Sequence, residues 1–267
     1  MWLPDIALLN PKGAVGLSEL GLMIHAVEFM LIVALPVYFL VFFFAWRYRA
    51  GNTKAAYSPN WEHAKVDELI WWAIPFEIVL ILGALTWSST HELDPRAPLE
   101  GGAPLVVEVV ALDWKWLFIY PEQNIATVNY IAVPVDRPVR FDVTADAPMN
   151  SFWIPRLGGQ IYAMTGMVNS LNLVANEPGT YEGVSANYSG IGFAKMKFVV
   201  KALPQEEFDS WVISVKASSK ILTHEEYALL ALPSIANEPA HYAEVEQNLY
   251  NMIVAQFTER ALHSAHE

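Results

Sequence analysis

The sequence predicts an α+β membrane protein with an N-terminal two-helix transmembrane hairpin, an external Greek-key β-sandwich and a C-terminal helical arm. Three observations predict this class. The 267-residue chain is 54% hydrophobic with a mean hydropathy of +0.28, above the usual range for soluble domains. Two long apolar runs near the N-terminus account for much of this excess. Strand patterns begin after residue 104, and helical patterns follow them after residue 204.

The two apolar runs, residues 21–46 and 69–89, are each long enough to cross a ~30 Å hydrocarbon core as a helix. Tryptophans lie near their ends, as is common at membrane interfaces. Buried core helices are the alternative interpretation of such runs. The prediction is therefore an external segment at 1–20, a first span at 21–46, a loop at 47–68 and a second span at 69–89.

Basic residues predict the orientation of this hairpin. The loop between the runs contains Arg47, Arg49, Lys54 and Lys65, whereas Lys12 is the one basic residue before the first run. Because positively charged loops stay in the cytoplasm, both termini and the large domain are expected on the periplasmic side of a bacterial inner membrane. The first residues lack a secretory signal. Either the chain comes from a longer precursor, or its first span is the export signal.

Residues 90–204 carry short strand patterns separated by turn residues, as in a Greek-key sandwich. In the segment PVRFDVTAD, Val139, Phe141 and Val143 fall on one face, and the polar residues between them fall on the other. A formal net charge of −12 argues against nucleic acid as a partner. Acidity alone does not exclude a basic electron-donor protein.

Residues 205–267 return to helical periodicity and form the predicted arm. The pattern has one apolar stripe, a capping box and a second apolar stripe: Phe208, Trp211, Val212 and Val215; Thr223 with Glu226; and Leu249, Ile253 and Phe257.

Several segments, in order along the chain, resemble the bo-type ubiquinol oxidase branch of the haem–copper oxidase subunit II family. They are LLNPKG, FAWRYRA, YSPNWEH, DWKWLFIYPEQNIATVN, MNSFWIPRLGGQIYAMTGM and NEPGTYEG. The resemblance implies that the sandwich is cupredoxin-like. In copper-bearing members of the family, its loops hold a two-copper centre with two cysteines and two histidines.

In this chain the resemblance places other residues at nearly every copper-ligand position. The histidine positions fall on Asn150 and Phe193, the cysteine positions on Ser185 and Ser189, a carbonyl-donating glutamate on Asn187, and the methionine is retained as Met196. Copper in electron-transfer sites needs thiolate and imidazole ligands, and the chain has no cysteine. The sequence therefore predicts no metal, no cofactor and no catalytic residue in this chain.

The resemblance implies a subunit of a proton-pumping terminal oxidase. Haems and copper would lie in a partner subunit I, with subunits III and IV and membrane lipid as further partners. Ubiquinol would replace cytochrome c as the electron donor, which leaves this chain with structural and assembly duties. Two alternatives remain: a divergent cytochrome c oxidase subunit, which the lack of cysteine opposes, and a membrane-anchored copper-free cupredoxin adaptor.

Five residues are candidates for roles in the complex, some through the resemblance and others through their chemistry and position. Glu68 lies at a position where the family has a proton-entry glutamate; a solvated interfacial acid is the alternative. Glu28, inside the first span, is expected at an intersubunit contact, with a proton route or quinone contact as the alternative. Trp114 and Trp116 are expected to pack at the contact with subunit I. Arg156 is expected to reach haem propionates or carboxylates of subunit I.

Overall fold

The computed structural model describes the backbone of residues 6–54 and 64–264, with side chains to residue 257 in the last helix. The YSPNWEH segment and the two chain ends fall outside the described residues. The chain forms two compact units. One comprises residues 1–20 together with 95–267, and the other comprises residues 21–94.

Two long helices, α1 (Ala14–Arg47) and α2 (Lys65–Glu92), supply the second unit. Both extend beyond the predicted spans at each end. Their most apolar windows have mean hydropathies of 2.5 and 2.0 and contain no side chain buried within the protein. Helices that are apolar around their whole circumference are typical of membrane spans.

The first unit is built on two β-sheets, whose strands follow one another closely along the chain. The first strands are β1 (Leu105–Leu112), β2 (Lys115–Tyr120), β3 (Ile125–Val128), β4 (Tyr130–Pro134), β5 (Val139–Ala145), β6 (Asn150–Trp153), β7 (Gln160–Ala163), β8 (Asn169–Leu173), β9 (Gly179–Ser185) and β10 (Lys197–Leu203). The remaining elements are α3 (Gln205–Lys216), β11 (Ile221–Leu222), α4 (His224–Ala231), β12 (Ala240–Tyr242), β13 (Glu244–Val245) and α5 (Leu249–Ser264).

The two main sheets have the strand orders β12-β3-β2-β1-β5-β8 and β4-β10-β9-β6-β7, and β11 pairs with β13 in a small third sheet. Most neighbouring strands are antiparallel, but β1 with β5 and β4 with β10 are parallel. The predicted alternation in β5 is confirmed, because Val139, Phe141 and Val143 are all buried in the core between the sheets. In that core the rings of Phe152 and Phe198 stack with centroids 5.2 Å apart.

The C-terminal arm covers the outer face of the six-stranded sheet. A second apolar cluster joins strand residues of that face to Tyr227, Leu249 and Ile253 of the arm. Strand β2 is therefore buried on both faces, which explains why its sequence KWLFIY does not alternate. The arm is not wholly helical as predicted, since β12 pairs with β3 and extends the sheet.

The N-terminal segment packs on the sandwich through backbone hydrogen bonds. The N–H of Lys12 donates to the carbonyl of Arg156 (2.6 Å), the carbonyl of Lys12 accepts from Asn176 N–H (2.8 Å), and Gly16 N–H donates to Leu157 (2.9 Å). Gly13 fits so closely that a Cβ there would lie 2.5 Å from the carbonyl oxygen of Val174. The start of α1 is thus fixed on this unit.

Candidate functional site: the loop at the predicted copper-ligand positions

Strands β6 and β9 bring two of the predicted ligand positions into contact. They pair side by side, with Phe152 opposite Ser185. The Ser185 hydroxyl donates a 2.7 Å hydrogen bond to Oδ1 of Asn150, and both side chains are buried. Nδ2 of Asn150 donates to the carbonyl of Pro148 at 2.8 Å. The first histidine position and the first cysteine position are therefore joined by a buried hydrogen bond.

Two more of the predicted positions lie against Ser185. Its hydroxyl is 3.4 Å from the carbonyl oxygen of Asn187, and its N–H donates to the carbonyl of Met196 at 3.1 Å. Met196 is 1% exposed and belongs to the main apolar core. Nδ2 of Asn187 donates to the carbonyl of Met149 at 3.0 Å, which holds the loop against the start of β6.

The rest of the loop closes on Trp114. The indole N–H of Trp114 donates to the carbonyl of Ser189 at 3.1 Å. Gly192 lies so close that a Cβ there would be 2.3 Å from the indole ring. Phe193 begins a 3-10 turn, Phe193–Lys195, and its ring packs edge-on against Tyr188. The second cysteine and second histidine positions are thus fixed by this indole and this turn.

The side chains at these positions do not fit a copper centre. They offer hydroxyl, amide and phenyl groups where copper needs thiolate and imidazole. The Ser189 hydroxyl oxygen is buried and has no hydrogen-bond partner among the described residues. Within the described ranges, no group of three or more His, Cys, Asp or Glu side chains could hold a metal ion. Hydrogen bonding and packing are what this arrangement can supply.

Comparisons with known proteins identify the family. Residues 121–203 match the family described as cytochrome c oxidase subunit II, periplasmic domain, and residues 216–260 match the COX aromatic rich motif. Cytochrome bo(3) ubiquinol oxidase subunit 2 of Pseudomonas putida is 52% identical over 251 residues, 94% of this chain and 80% of the relative. This chain belongs to the ubiquinol oxidase subunit 2 family.

Other members of the ubiquinol oxidase subunit 2 family match over a similar length. Ubiquinol oxidase subunit 2 of Acetobacter aceti is 50% identical over 95% of this chain and 83% of the relative. Among solved structures, the periplasmic domain of cytochrome oxidase subunit II of Bradyrhizobium japonicum is 23% identical with a TM-score of 0.41, and covers 43% of this chain and 96% of that chain. As a member of this family, the chain is a membrane protein, and α1 and α2 are its membrane-spanning helices.

Trp116, predicted as a contact residue of this ubiquinol oxidase subunit, does not lie at its surface. Trp116 is fully buried in the core, where its ring packs edge-on against Phe152 and Phe198 at 5.4 and 5.8 Å. It cannot contact another subunit, so that prediction is wrong. The physical reason is that β2 lies inside the six-stranded sheet, between the core and the arm. Trp114, in the turn before β2, is partly exposed.

Arg156 has a partner within the chain. Its Nη1 donates to the carbonyl of Asn10 at 3.0 Å, and its own carbonyl accepts from Lys12. The residue therefore helps to hold the N-terminal segment on the sandwich. Local sequence patterns do not reveal this contact, because Asn10 and Arg156 are 146 positions apart.

The two predicted glutamates of the membrane unit are both exposed. Glu68 lies in the first turn of α2, where its N–H donates to the carbonyl of Ala64 at 2.9 Å. Glu28 lies on α1, inside the first span. Neither side chain is buried against the described residues of this chain.

Sequence reasoning missed Lys115, which is 1% exposed. Its Nζ donates to the carbonyl of Leu232 at 2.7 Å and to the hydroxyl of Ser234 at 2.6 Å. Burial lowers the pKa of this ammonium group, and the carboxylate of Asp113 partly opposes that effect. A lysine inside the apolar run DWKWLFIY was the available signal, because a buried lysine needs a partner. Lys115 joins the β1–β2 turn to the arm.

Proposed function

We propose that this chain is a copper-free subunit II of a proton-translocating quinol oxidase, and that it supports assembly without carrying electrons. In this proposal ubiquinol is oxidised and oxygen is reduced elsewhere in the complex. Haems and copper would be held by a partner subunit I, with subunits III and IV as further partners. The sandwich, the arm and both termini would lie on the periplasmic side of the bacterial inner membrane.

The buried hydrogen bond between Ser185 and Asn150 carries this proposal. Where a copper relay needs a thiolate and an imidazole, the chain has a hydroxyl donating to an amide oxygen at 2.7 Å. Both groups satisfy each other and are tied into the strands β6 and β9. A serine hydroxyl does not ionise at neutral pH, so it cannot bridge two copper ions. The loop is therefore suited to stability rather than to electron transfer.

A lipid-soluble donor makes a relay in the sandwich unnecessary. A water-soluble donor arriving from outside has to pass electrons through the external domain, which needs a metal along the way. Quinol can instead reach a membrane subunit from within the bilayer. The exposed apolar surfaces of α1 and α2 place this chain in that bilayer. Cytochrome c is accordingly not expected to be a partner.

Donor specificity tests this proposal. The complex is purified through a tag on this chain, and oxygen uptake is followed with a short-chain ubiquinol and, separately, with reduced cytochrome c. Uptake with ubiquinol alone is the expected result. Uptake with cytochrome c would overturn the proposal, because it requires an electron path through this domain. A preparation without haem and without uptake would favour the adaptor alternative.

Glu68 is proposed as a proton-entry residue on the cytoplasmic side. It is an exposed carboxylate in the first turn of a spanning helix, and such a group can collect protons from water. Replacing it by alanine is expected to slow steady-state quinol oxidation by about tenfold or more while haem content stays normal. Asp67→Asn, one residue away, is the matched control and is expected to leave turnover unchanged. Unchanged turnover in Glu68→Ala would exclude the role.

A further inference from the structure

The face of β1 that lies under the arm carries one acid among apolar residues. Val110 and Leu112 belong to the apolar cluster beneath the arm, and Glu108 shares their side of the strand. Glu108 lines a cavity of about 380 Å³ together with Glu246 and Tyr250. The roof of this cavity is the turn before α5 and the first turn of α5. The docking of α5 therefore partly covers a carboxyl group.

Among the described residues that line this cavity with Glu108, none carries a cationic side chain. Asp142 lies directly opposite it in the parallel pair β1 and β5. The guanidinium group of Arg140 donates two hydrogen bonds to the Asp142 carboxylate, at 3.0 and 3.2 Å. The hydroxyl of Ser170 donates to the same carboxylate at 2.8 Å. Tyr250 of α5 donates its hydroxyl to the backbone carbonyl of Asp142 at 2.8 Å. The hydrogen bond of Tyr250 thus lies beside the carboxyl groups of Glu108 and Asp142. The guanidinium group of Arg140 is already paired with Asp142.

This environment favours the neutral form of Glu108. Burial raises the pKa of Glu108 to about 7, and the negative charge of Asp142 acts in the same direction. When α5 leaves the sheet, the carboxyl group meets water, where the ordinary value for glutamate is 4.5. The docked arm consequently binds the proton of Glu108 more tightly than the undocked arm does.

We propose that Glu108 is a proton-sensitive latch for the arm: α5 is docked firmly when Glu108 is protonated and is loosened when Glu108 loses its proton. The direction follows from linkage, because a state that binds a proton more tightly gains population when protons are abundant. Docking is strongest below about pH 4.5, weakens as the pH rises from there, and has lost this contribution once the pH is above about 7. The latch responds to the aqueous compartment that this domain faces.

The other titratable groups near the arm act differently. Glu246, in the turn before α5, accepts a hydrogen bond from the N–H of His224 at 2.6 Å, so it is tied to the start of α4 rather than to Glu108. His241 on β12 has its pKa lowered by burial, so it would loosen the arm at acidic rather than alkaline pH. Lys115 binds the arm at Leu232 and Ser234, away from α5, and burial lowers the pKa of its ammonium group. An alkaline loosening confined to α5 therefore points to Glu108.

Hydrogen exchange of the full complex tests this latch. Exchange of peptides covering residues 249–264 is measured between about pH 5.5 and pH 8, with correction for the intrinsic pH dependence of exchange. The wild-type docking equilibrium is expected to fall by about tenfold or more over this interval. The variant Glu108→Gln is expected to keep α5 protected throughout, because its amide stays neutral. Glu182→Gln, on an exposed pair with Lys197, is the matched control and should behave like wild type.

A second variant keeps the test decisive if Glu108→Gln fails to assemble. Tyr250→Phe removes the hydroxyl that donates to Asp142 but retains Glu108. It is expected to lower the protection of α5 at every pH and to retain the loss of protection on alkalinisation. The latch is excluded if corrected wild-type protection is the same at both ends of the pH range. It is also excluded if Glu108→Gln shows the same pH dependence as wild type.

Discussion

At the scale of single residues, the contact between Asn150 and Ser185 shows how two buried polar side chains stabilise each other. Both side chains are buried, and each lies on a strand of the same sheet. Buried polar groups cost free energy unless they are hydrogen-bonded. The 2.7 Å bond between them removes that cost without needing a metal.

Replacing both members of this pair is expected to destabilise the domain by less than the sum of the two single replacements. Asn150→Ala leaves the Ser185 hydroxyl without its acceptor, at a cost of about 1–3 kcal/mol in the free energy of unfolding. In the double variant with Ser185→Ala no buried donor is left unsatisfied, so the cost is expected to be less than the sum of the single changes. Near-UV circular dichroism during denaturation of the purified chain measures all three variants. Strictly additive effects would show that the bond does not stabilise the domain.

Two neighbouring tryptophans show what sequence could establish about individual residues. On the sequence motif DWKW alone, Trp114 and Trp116 are both predicted to be aromatic contact residues. Trp114 lies in a turn with a φ of 62°, whereas Trp116 lies within β2 and is fully buried. Trp116 is enclosed by Phe152 and Phe198 of the other sheet, which lie far from it along the chain. Local patterns carry no information on that contact.

At the scale of elements, the N-terminal segment packs as an integral part of the sandwich unit. Lys12 makes backbone hydrogen bonds to two separate loops and also pairs with Glu177 at 2.6 Å. Gly13 permits the close approach, since its missing side chain leaves room for two carbonyl oxygens. The segment thus holds the start of α1 on the domain.

Gly13→Ala is expected to disrupt this contact. The added methyl group would lie 2.5 Å from the oxygen of Val174 and 2.7 Å from that of Leu157, both of them backbone atoms. Overpacking of this kind costs about 1–3 kcal/mol in the free energy of unfolding. Gly21→Ala, further along α1 with open space around it, is the matched control and is expected to be neutral. Equal thermal stability of the two variants would argue against a packed N-terminal segment.

Periodicity predicted some elements well because one face of each lies against the core and the other faces solvent. The stripe on α3 is an example: Phe208 and Val215 are buried, and Trp211 and Val212 pack against the main core. The cap of α4 is another, since the Thr223 hydroxyl accepts from Glu226 N–H at 3.2 Å. Strand β12 escaped prediction because a three-residue strand is too short to show alternation.

At the scale of the whole molecule, the sandwich and its arm are one folding unit rather than a domain with an appendage. The first family match ends at residue 203 and the second begins at residue 216, so the boundary between them falls near the start of the arm. Several hydrogen bonds in the structure join the sandwich to the arm across this boundary. Lys115 binds the arm at Leu232 and Ser234, Tyr250 binds Asp142, and Tyr227 donates its hydroxyl to Asp146 at 2.6 Å.

Removal of the arm is therefore expected to unfold the domain rather than only trim it. Truncation after Ala217 keeps α3 but uncovers the apolar face formed by Val110, Leu112, Leu117 and Ile119. Each such side chain contributes about 1.5–3 kcal/mol when fully buried. Losing four of them is comparable to the whole stability of a typical domain, about 5–15 kcal/mol.

The measurement is the haem that copurifies with the tagged chain, together with the protease resistance of its outer domain. The truncated chain is expected to be degraded rapidly and to bring down little haem. A chain ending at residue 257 keeps Leu249 and Ile253 in place and serves as the matched control, with wild-type behaviour expected. A protease-resistant domain without residues 218–267 would show that the sandwich folds alone. In that case the arm would be an accessory, and a pH-dependent release of α5 would have no consequence for assembly.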